Sequence, residues 1–92
     1  MGEAVRLAVI GVGVHGARHA EIFCRMPGVD LVGVADVNEA TARDVAERCA
    51  TRAAADFREL LDQVEAVSIA VPANKHFEVA HACLERGIHV FL

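Results

Sequence analysis

The residues best placed to do chemistry are three glycines that directly follow an apolar run. Leu7–Ile10 is followed by glycines at 11, 13 and 16, which gives the spacing G-x-G-x-x-G. An unbroken apolar run is typical of a parallel strand covered on both faces. At a strand-to-helix junction, Gly11 would allow a sharp turn, Gly13 a close approach to a diphosphate, and Gly16 close packing of the helix. The free N–H groups that begin this helix would then face the phosphates.

Asp36 supplies the acidic residue that is expected after a glycine motif of this kind. Asp36 lies twenty residues beyond Gly16, at the end of a second apolar stretch, Leu31–Asp36. There it can accept hydrogen bonds from both ribose hydroxyls of an adenine dinucleotide, and its charge would repel a 2′-phosphate. Val37 and Asn38 follow without an arginine to hold that phosphate, so the sequence favours NAD over NADP. The plainer interpretation is that Asp36 only ends a strand and begins a turn.

A second candidate segment is Val71–His76, which reads Val-Pro-Ala-Asn-Lys-His. It follows a strand expected beside the glycine motif, so Pro72 and Asn74 are placed at the nicotinamide side of the cofactor. The structural alternatives are equally simple. Asn74 would cap a helix, His76 would pack or hydrogen-bond at the helix start, and Lys75 would be solvated. We expect no catalysis by Lys75 or His76.

Two histidines have a spacing that can bind metal. His15 and His19 stand four residues apart on one predicted helix. The sequence has neither an H-E-x-x-H motif nor a third ligand nearby, so we expect no metal site. His15 lies within the glycine motif and is expected to point to solvent near the cofactor.

The elements that must position these residues alternate between strands and helices. Their predicted bounds are a strand from Leu7, a helix over Val14–Arg25, strand Leu31–Asp36, helix Glu39–Cys49, a short edge strand Thr51–Ala55, a brief helix through Leu60-Leu61, strand Ala66–Val71, helix Lys75–Arg86 and strand Ile88–Leu92. Asn38, Asp56 and Asn74 are the predicted caps. This alternation predicts a parallel sheet with helices on both faces. The expected strand order is Thr51, Leu31, Leu7, Ala66, Ile88, with a ligand at the carboxyl ends of the strands, where the order reverses.

Composition limits the class of protein. The 92 residues form at most one small domain, 54% of them are hydrophobic, and the net charge is −4 with no basic run. This excludes nucleic acid and acidic membrane surfaces as expected partners. Three dispersed cysteines indicate neither a disulfide framework nor a zinc site, so we expect buried thiols in a reduced cytoplasmic setting. No apolar run is long enough to span a bilayer.

The combined pattern resembles the glucose–fructose oxidoreductase/inositol dehydrogenase (Gfo/Idh/MocA) family. Four pieces carry the likeness across nearly the whole chain: Ala8–Gly16 with His19 after it, Val34–Asp36, Ala70–His76 and Gly87–Leu92. The resemblance implies an α/β fold with a Rossmann-type doubly wound parallel sheet. It also implies that the glycines hold the pyrophosphate of NAD, that Asp36 holds the ribose, and that Pro72, Asn74 and His76 form the loop near the nicotinamide half. The predicted cofactor-binding set is Gly11, Gly13, Val14, His15, Gly16, Asp36, Val37, Val71, Pro72, Asn74 and His76.

The resemblance also sets an expectation about what is missing. In the family, the last strand runs into Glu-Lys-Pro, whose lysine is catalytic or orients the substrate, and an α/β substrate domain follows. Residues 1–92 are therefore expected to be a dinucleotide-binding domain truncated before its C-terminal strands, and no catalytic residue is assigned. The apolar strand Ile88–Leu92 would lie uncovered at an edge, so we expect self-association, as a homo-oligomer, or low stability.

Three functions are consistent with this pattern. The first is hydride transfer between NAD and a sugar- or polyol-like substrate, in the complete protein. The second is a non-catalytic module that binds NAD(H) as a sensor or regulatory subunit. The third is a Rossmann variant that binds S-adenosylmethionine or CoA.

Overall fold

The computed structural model describes residues 4–92, which form five strands, three α-helices and one 3-10 helix. Their bounds are β1 Val5–Ile10, α1 Val14–Phe23, β2 Val29–Ala35, α2 Glu39–Arg48, β3 Arg52–Ala54, the 3-10 helix Phe57–Gln63, β4 Ala66–Ile69, α3 Ala73–Glu85 and β5 His89–Phe91. The predicted alternation of elements is therefore confirmed. Strand β2 begins two residues earlier than expected, because Val29 pairs in register with Val5 of β1.

All five strands are parallel, in the order β3-β2-β1-β4-β5. This confirms the predicted order and the doubly wound α/β class. Strand β1 lies at the centre, and the order reverses between it and β4, where the two connections leave toward opposite faces. The carboxyl ends of β1, β2 and β4 therefore meet at one edge, which is where such sheets bind ligands.

Side chains of β1 alternate between two cores, as the two-residue period of a strand requires. Leu7 and Val9 pack with α1 and α2 on one face of the sheet. Ala8 and Ile10 pack with the 3-10 helix and α3 on the other face. Both faces are covered along Leu7–Ile10, which explains why these four residues of β1 are apolar.

Two of the three predicted caps are confirmed. Asn38 accepts a hydrogen bond from the N–H of Thr41, and Asp56 accepts one from the N–H of Arg58. The predicted cap at Asn74 is wrong, because α3 begins one residue before it, at Ala73, with Pro72 in the cap position. The proline ring holds φ at −54°, close to the helical value, so the chain enters the helix without a side-chain cap.

The helix faces also follow the predicted pattern, with one exception. The apolar spacing of the second helix predicts that Val45, Ala46 and Cys49 turn inward, and all three are buried. Gly87 adopts a φ of +74° that ends α3. The spacing of apolar residues along α3 predicts that Val79, Ala80, Cys83 and Leu84 face inward, but 62% of the surface of Leu84 is exposed. Helix α3 packs mainly through Val79 and Cys83, and Leu84 lies beyond the edge of that narrow stripe.

The three cysteines are free thiols at different depths. Cys49 and Cys83 are buried, whereas Cys24 is only half-buried, so the expectation of burial is met by two of the three. Burial raises the pKa of the Cys49 thiol to about 11 and also raises the pKa of Cys83 above its ordinary value. Both therefore remain neutral thiols at physiological pH.

Strand β5 forms one edge of the sheet, as predicted. Phe91 and Leu92 at this edge are 56% and 78% exposed. An exposed apolar edge offers unpaired backbone groups to another strand, so self-association through β5 stays a prediction. Within residues 4–92, none of the helices has the length and apolar character needed to cross a membrane.

Candidate functional site

The turn after β1 depends on Gly11. Its φ of +90° lies in the region that L side chains rarely adopt. A Cβ at this position would stand 2.8 Å from the carbonyl carbon of Ala70 and from the nitrogen of Val71. The N–H of Gly11 donates to the carbonyl of Ala35 at 2.7 Å, which ties the turn to the end of β2. Gly11 is therefore required both by backbone geometry and by the approach of the β4–α3 connection.

The other two glycines of the motif differ in what surrounds them. A Cβ on Gly16 would lie 1.7 Å from the carbonyl oxygen of Gly11, so α1 can reach the sheet only without a side chain there. A Cβ on Gly13 would meet nothing within 4 Å. The absence of a side chain at Gly13 is thus not explained by packing within residues 4–92. The space in front of Gly13 is open, and it adjoins the first turn of α1, whose N–H groups have no helical partner. A glycine keeps this space free for an anionic ligand of those N–H groups.

The carboxylate of Asp36 is fixed in place by the backbone around it. Oδ2 accepts a hydrogen bond from the N–H of Val12, inside the glycine turn, at 2.9 Å. Oδ1 accepts one from the N–H of Asn38 at 2.9 Å. A carboxylate oxygen can accept more than one bond, so both oxygens keep capacity for a ligand. The half-buried Asp36 thus connects the glycine turn to the end of β2 and still offers acceptors outward.

A cleft of about 670 Å³ opens at the carboxyl ends of the strands. Seven residues of the sequence-predicted set line it: Gly11, Gly13, His15, Asp36, Val37, Val71 and Pro72. The other four members lie outside the lining. Gly16 is buried beneath the turn, Val14 and Asn74 are exposed, and His76 is turned toward its own loop.

Eight further residues complete the wall of the cleft: Ile10, Ala35, Ala55, Phe57, Ala70, Lys75, Glu78 and Val79. Ala55 and Phe57 were absent from the predicted set, although both follow β3 at the same edge of the sheet. The predicted position of β3 beside β2 was a usable signal for them. Glu78 and Val79 follow Lys75 by about one helical turn, but their placement depends on the rotation of α3, which the sequence pattern did not determine.

His76 holds the connection that leads from β4 into α3. Its Nε2 lies 2.7 Å from the carbonyl oxygen of Val71, and the ring is half-buried. Because a carbonyl oxygen only accepts, Nε2 must carry the proton. This agrees with the structural interpretation of His76, which has it hydrogen-bond at the helix start. Through this bond His76 positions the backbone at Val71, which lines the cleft.

Removing this bond is expected to weaken dinucleotide binding. We expect His76→Leu to lower the affinity for NADH by about three- to tenfold, the equivalent of one net hydrogen bond. His76→Gln should recover most of that loss, because its amide N–H can donate to the same carbonyl. Fluorescence titration of NADH against both variants measures the difference. Equal losses in the two variants would show that the bond does not position the site.

The two histidines of α1 do not form a metal site with other side chains. Over residues 4–92, no three His, Cys, Asp or Glu residues are grouped closely enough to hold a metal ion. His15 and His19 are both exposed, and His15 borders the cleft as expected from its place in the motif.

Known proteins match this chain over almost its whole length. The family model described as the oxidoreductase family, NAD-binding Rossmann fold (GFO_IDH_MocA) matches residues 5–92. UDP-N-acetylglucosamine 3-dehydrogenase of Acidithiobacillus ferrooxidans is 38% identical over 88 residues, covering 96% of this chain and 28% of the relative. Inositol 2-dehydrogenase of Rubrobacter xylanophilus is 40% identical over 86 residues, covering 90% of this chain and 25% of the relative.

A solved structure agrees with the fold as well. The crystal structure of GenD2 from gentamicin A biosynthesis, in complex with NAD, superposes with a TM-score of 0.92 at 36% identity. The match covers 98% of this chain and 26% of that one. The chain thus spans about a quarter of the length of the proteins it matches. With its five-stranded doubly wound sheet and its glycine turn, the chain belongs to the Gfo/Idh/MocA oxidoreductase family as an NAD-binding Rossmann domain.

Proposed function

We propose that this domain binds NAD(H) across the carboxyl ends of β1, β2 and β4. The observation that carries the proposal is the Asp36 carboxylate, held by Val12 and Asn38 with acceptor capacity directed at the cleft. The adenosine ribose would bind Asp36, and the pyrophosphate would lie at Gly13, where a Cβ would meet nothing within 4 Å. The free space at Gly13 and the Asp36 carboxylate on the same cleft offer the groups that a dinucleotide needs.

The same carboxylate favours NAD over NADP. A 2′-phosphate on the ribose would carry negative charge to the oxygens that otherwise accept from its hydroxyls. The residues that follow, Val37 and Asn38, offer no cation to hold it. We therefore assign the cofactor as NAD rather than NADP.

We further propose that residues 1–92 are the dinucleotide-binding part of a longer oxidoreductase, because this chain matches only 28% and 25% of the length of the two relatives. Bound NAD supplies hydride transfer at its nicotinamide ring. The residues of this chain bind and orient it, and no catalytic residue is assigned among them. Because the two relatives are named as dehydrogenases of a nucleotide sugar and of inositol, we propose a sugar- or polyol-like substrate rather than a non-catalytic sensor. The free thiols fit a cytoplasmic location.

Titration of the chain with NADH, NADPH, S-adenosylmethionine and CoA tests this proposal. Calorimetry is expected to show NADH binding at least about tenfold tighter than NADPH, a difference of about 1.4 kcal/mol. The other two ligands should not compete with NADH. A circular dichroism melt of the same sample establishes that the domain is folded. Tighter binding of NADPH would overturn the NAD assignment, and a folded chain that binds neither dinucleotide would overturn the proposal itself.

A further inference from the structure

Two opposite charges stand on the wall of the cleft that α3 forms. Lys75 and Glu78 both line the cleft, three residues apart on the same face of the helix. Both are exposed, and within residues 4–92 neither takes part in a salt bridge. Among the described lining residues, Asp36 and Glu78 are the carboxylates. Since Asp36 is assigned to the ribose, Glu78 is left without a role in binding or packing.

Part of the wall of the same cleft is apolar, and it includes Val37, Val71, Pro72 and Val79. Val37, directly after Asp36, is 93% exposed, although valine is ordinarily buried. Val71 and Pro72 line the same cleft from the β4–α3 connection, and Val79 extends the apolar wall along α3. Apolar walls with a few polar groups are typical of small-molecule and cofactor sites, and a base has apolar faces with hydrogen-bonding atoms at its edges.

The position of this apolar part relative to Asp36 indicates which half of the cofactor it receives. A base is attached to the ribose that binds Asp36, and Val37 is the neighbour of that residue along the chain. The sequence predicts that the segment Val71–His76 lines the nicotinamide side of the cofactor, with contacts from Pro72 and Asn74. We place Val71 and Pro72 beside the adenosine half, because they line one cleft with Asp36 and Val37.

We infer that Glu78 determines which base the site accepts. Its carboxylate accepts a hydrogen bond from the exocyclic 6-amino group of adenine, and the ammonium group of Lys75 donates to a neighbouring ring nitrogen. The inference rests on the proposed binding of NAD(H) and adds the residues that select its base. It assigns a function to the one carboxylate of the cleft that the ribose leaves unused.

The chemistry of this pair matches adenine and disfavours its 6-oxo analogue. Adenine offers a donor at position 6, whereas hypoxanthine offers a carbonyl oxygen there. An ionised carboxylate only accepts, so Glu78 would repel that oxygen and lose its hydrogen-bond partner at position 6. Because Lys75 and Glu78 are exposed, solvent screens the interaction, and we expect a moderate preference, about five- to tenfold, rather than complete exclusion.

The experiment compares NADH with reduced nicotinamide hypoxanthine dinucleotide, which differs only at the base. Both are titrated by fluorescence against the wild-type chain, Glu78→Gln and Glu85→Gln. Glu85 lies on the same helix outside the cleft lining, with its Oε1 3.5 Å from Nδ1 of His81, and serves as the matched control. A glutamine can either accept or donate, so Glu78→Gln should bind the two dinucleotides within about twofold of each other. Glu85→Gln should keep the wild-type preference.

Each outcome is decisive. A wild-type preference for NADH that Glu78→Gln abolishes and Glu85→Gln retains supports the inference. Equal binding of the two dinucleotides by the wild type, or an unchanged preference in Glu78→Gln, overturns it and leaves the proposed NAD(H) site intact. A folded wild-type chain that binds neither dinucleotide overturns the NAD(H) site and this inference together.

Discussion

Replacing Gly16 by alanine is expected to cost the domain about 3 kcal/mol or more of its free energy of unfolding. The new Cβ would lie 1.7 Å from the carbonyl oxygen of Gly11 and 3.3 Å from the Cβ of Ala70. The first of these neighbours is backbone within a turn that is itself hydrogen-bonded to Ala35, so it cannot move as a flexible side chain would. Helix α1 would have to shift away from the sheet. Urea unfolding followed by circular dichroism measures the loss.

Gly13→Ala is the matched control for Gly16→Ala. Its φ of −68° suits an L residue, and a Cβ there meets nothing within 4 Å. We expect the unfolding free energy to change by about 1 kcal/mol or less, the scale of a change at a helix cap. Affinity for NADH should still fall at least about tenfold, because the methyl group takes the space assigned to the pyrophosphate. If Gly16→Ala were as stable as Gly13→Ala, the packing role of Gly16 would be wrong.

Replacing Asp36 by alanine is expected to lower NADH affinity by about 10- to 100-fold, since hydrogen bonds to a charged group contribute roughly 1.5–3 kcal/mol. The substitution removes the ribose acceptors and also releases the N–H groups of Val12 and Asn38. The preference for NADH over NADPH should fall with it, because the charge that repels the 2′-phosphate is gone. Calorimetric titration of both cofactors measures the two effects separately.

A control substitution at the other end of β2 separates the loss of a binding residue from the change in net charge that accompanies it. Asp30 is an exposed carboxylate near the start of β2, whereas the cleft lies at the carboxyl ends of the strands. Asp30→Asn therefore changes the net charge without altering the site. It should bind NADH as the wild type does. An Asp36→Ala variant that keeps both its affinity and its preference for NADH would remove Asp36 from the ribose site.

Local chemistry along the chain determined most of this domain. The runs Leu7–Ile10 and Ala66–Val71 predicted buried parallel strands because they are almost wholly apolar and carry no charged residue, which is typical of a sheet covered on both faces. The glycine spacing and the later Asp36 predicted how strand, turn and helix join. Asn38 and Asp56 were recognisable as caps because each accepts a hydrogen bond from a backbone N–H no more than three residues later in the chain. Such a local interaction can be predicted from the sequence alone.

The tertiary structure decided what depends on the approach of segments distant in sequence. Proline at 72 moved the start of α3, and the narrow contact of that helix left Leu84 in solvent. Ala55, Phe57 and Glu78 joined the cleft because separate connections converge there. A sequence pattern shows which face of an element is apolar, because that depends on its own periodicity. The pattern does not show which residues of two elements come into contact. That depends on how each helix is rotated and how close it lies to the sheet, which is set by packing such as that of Gly16 against Gly11.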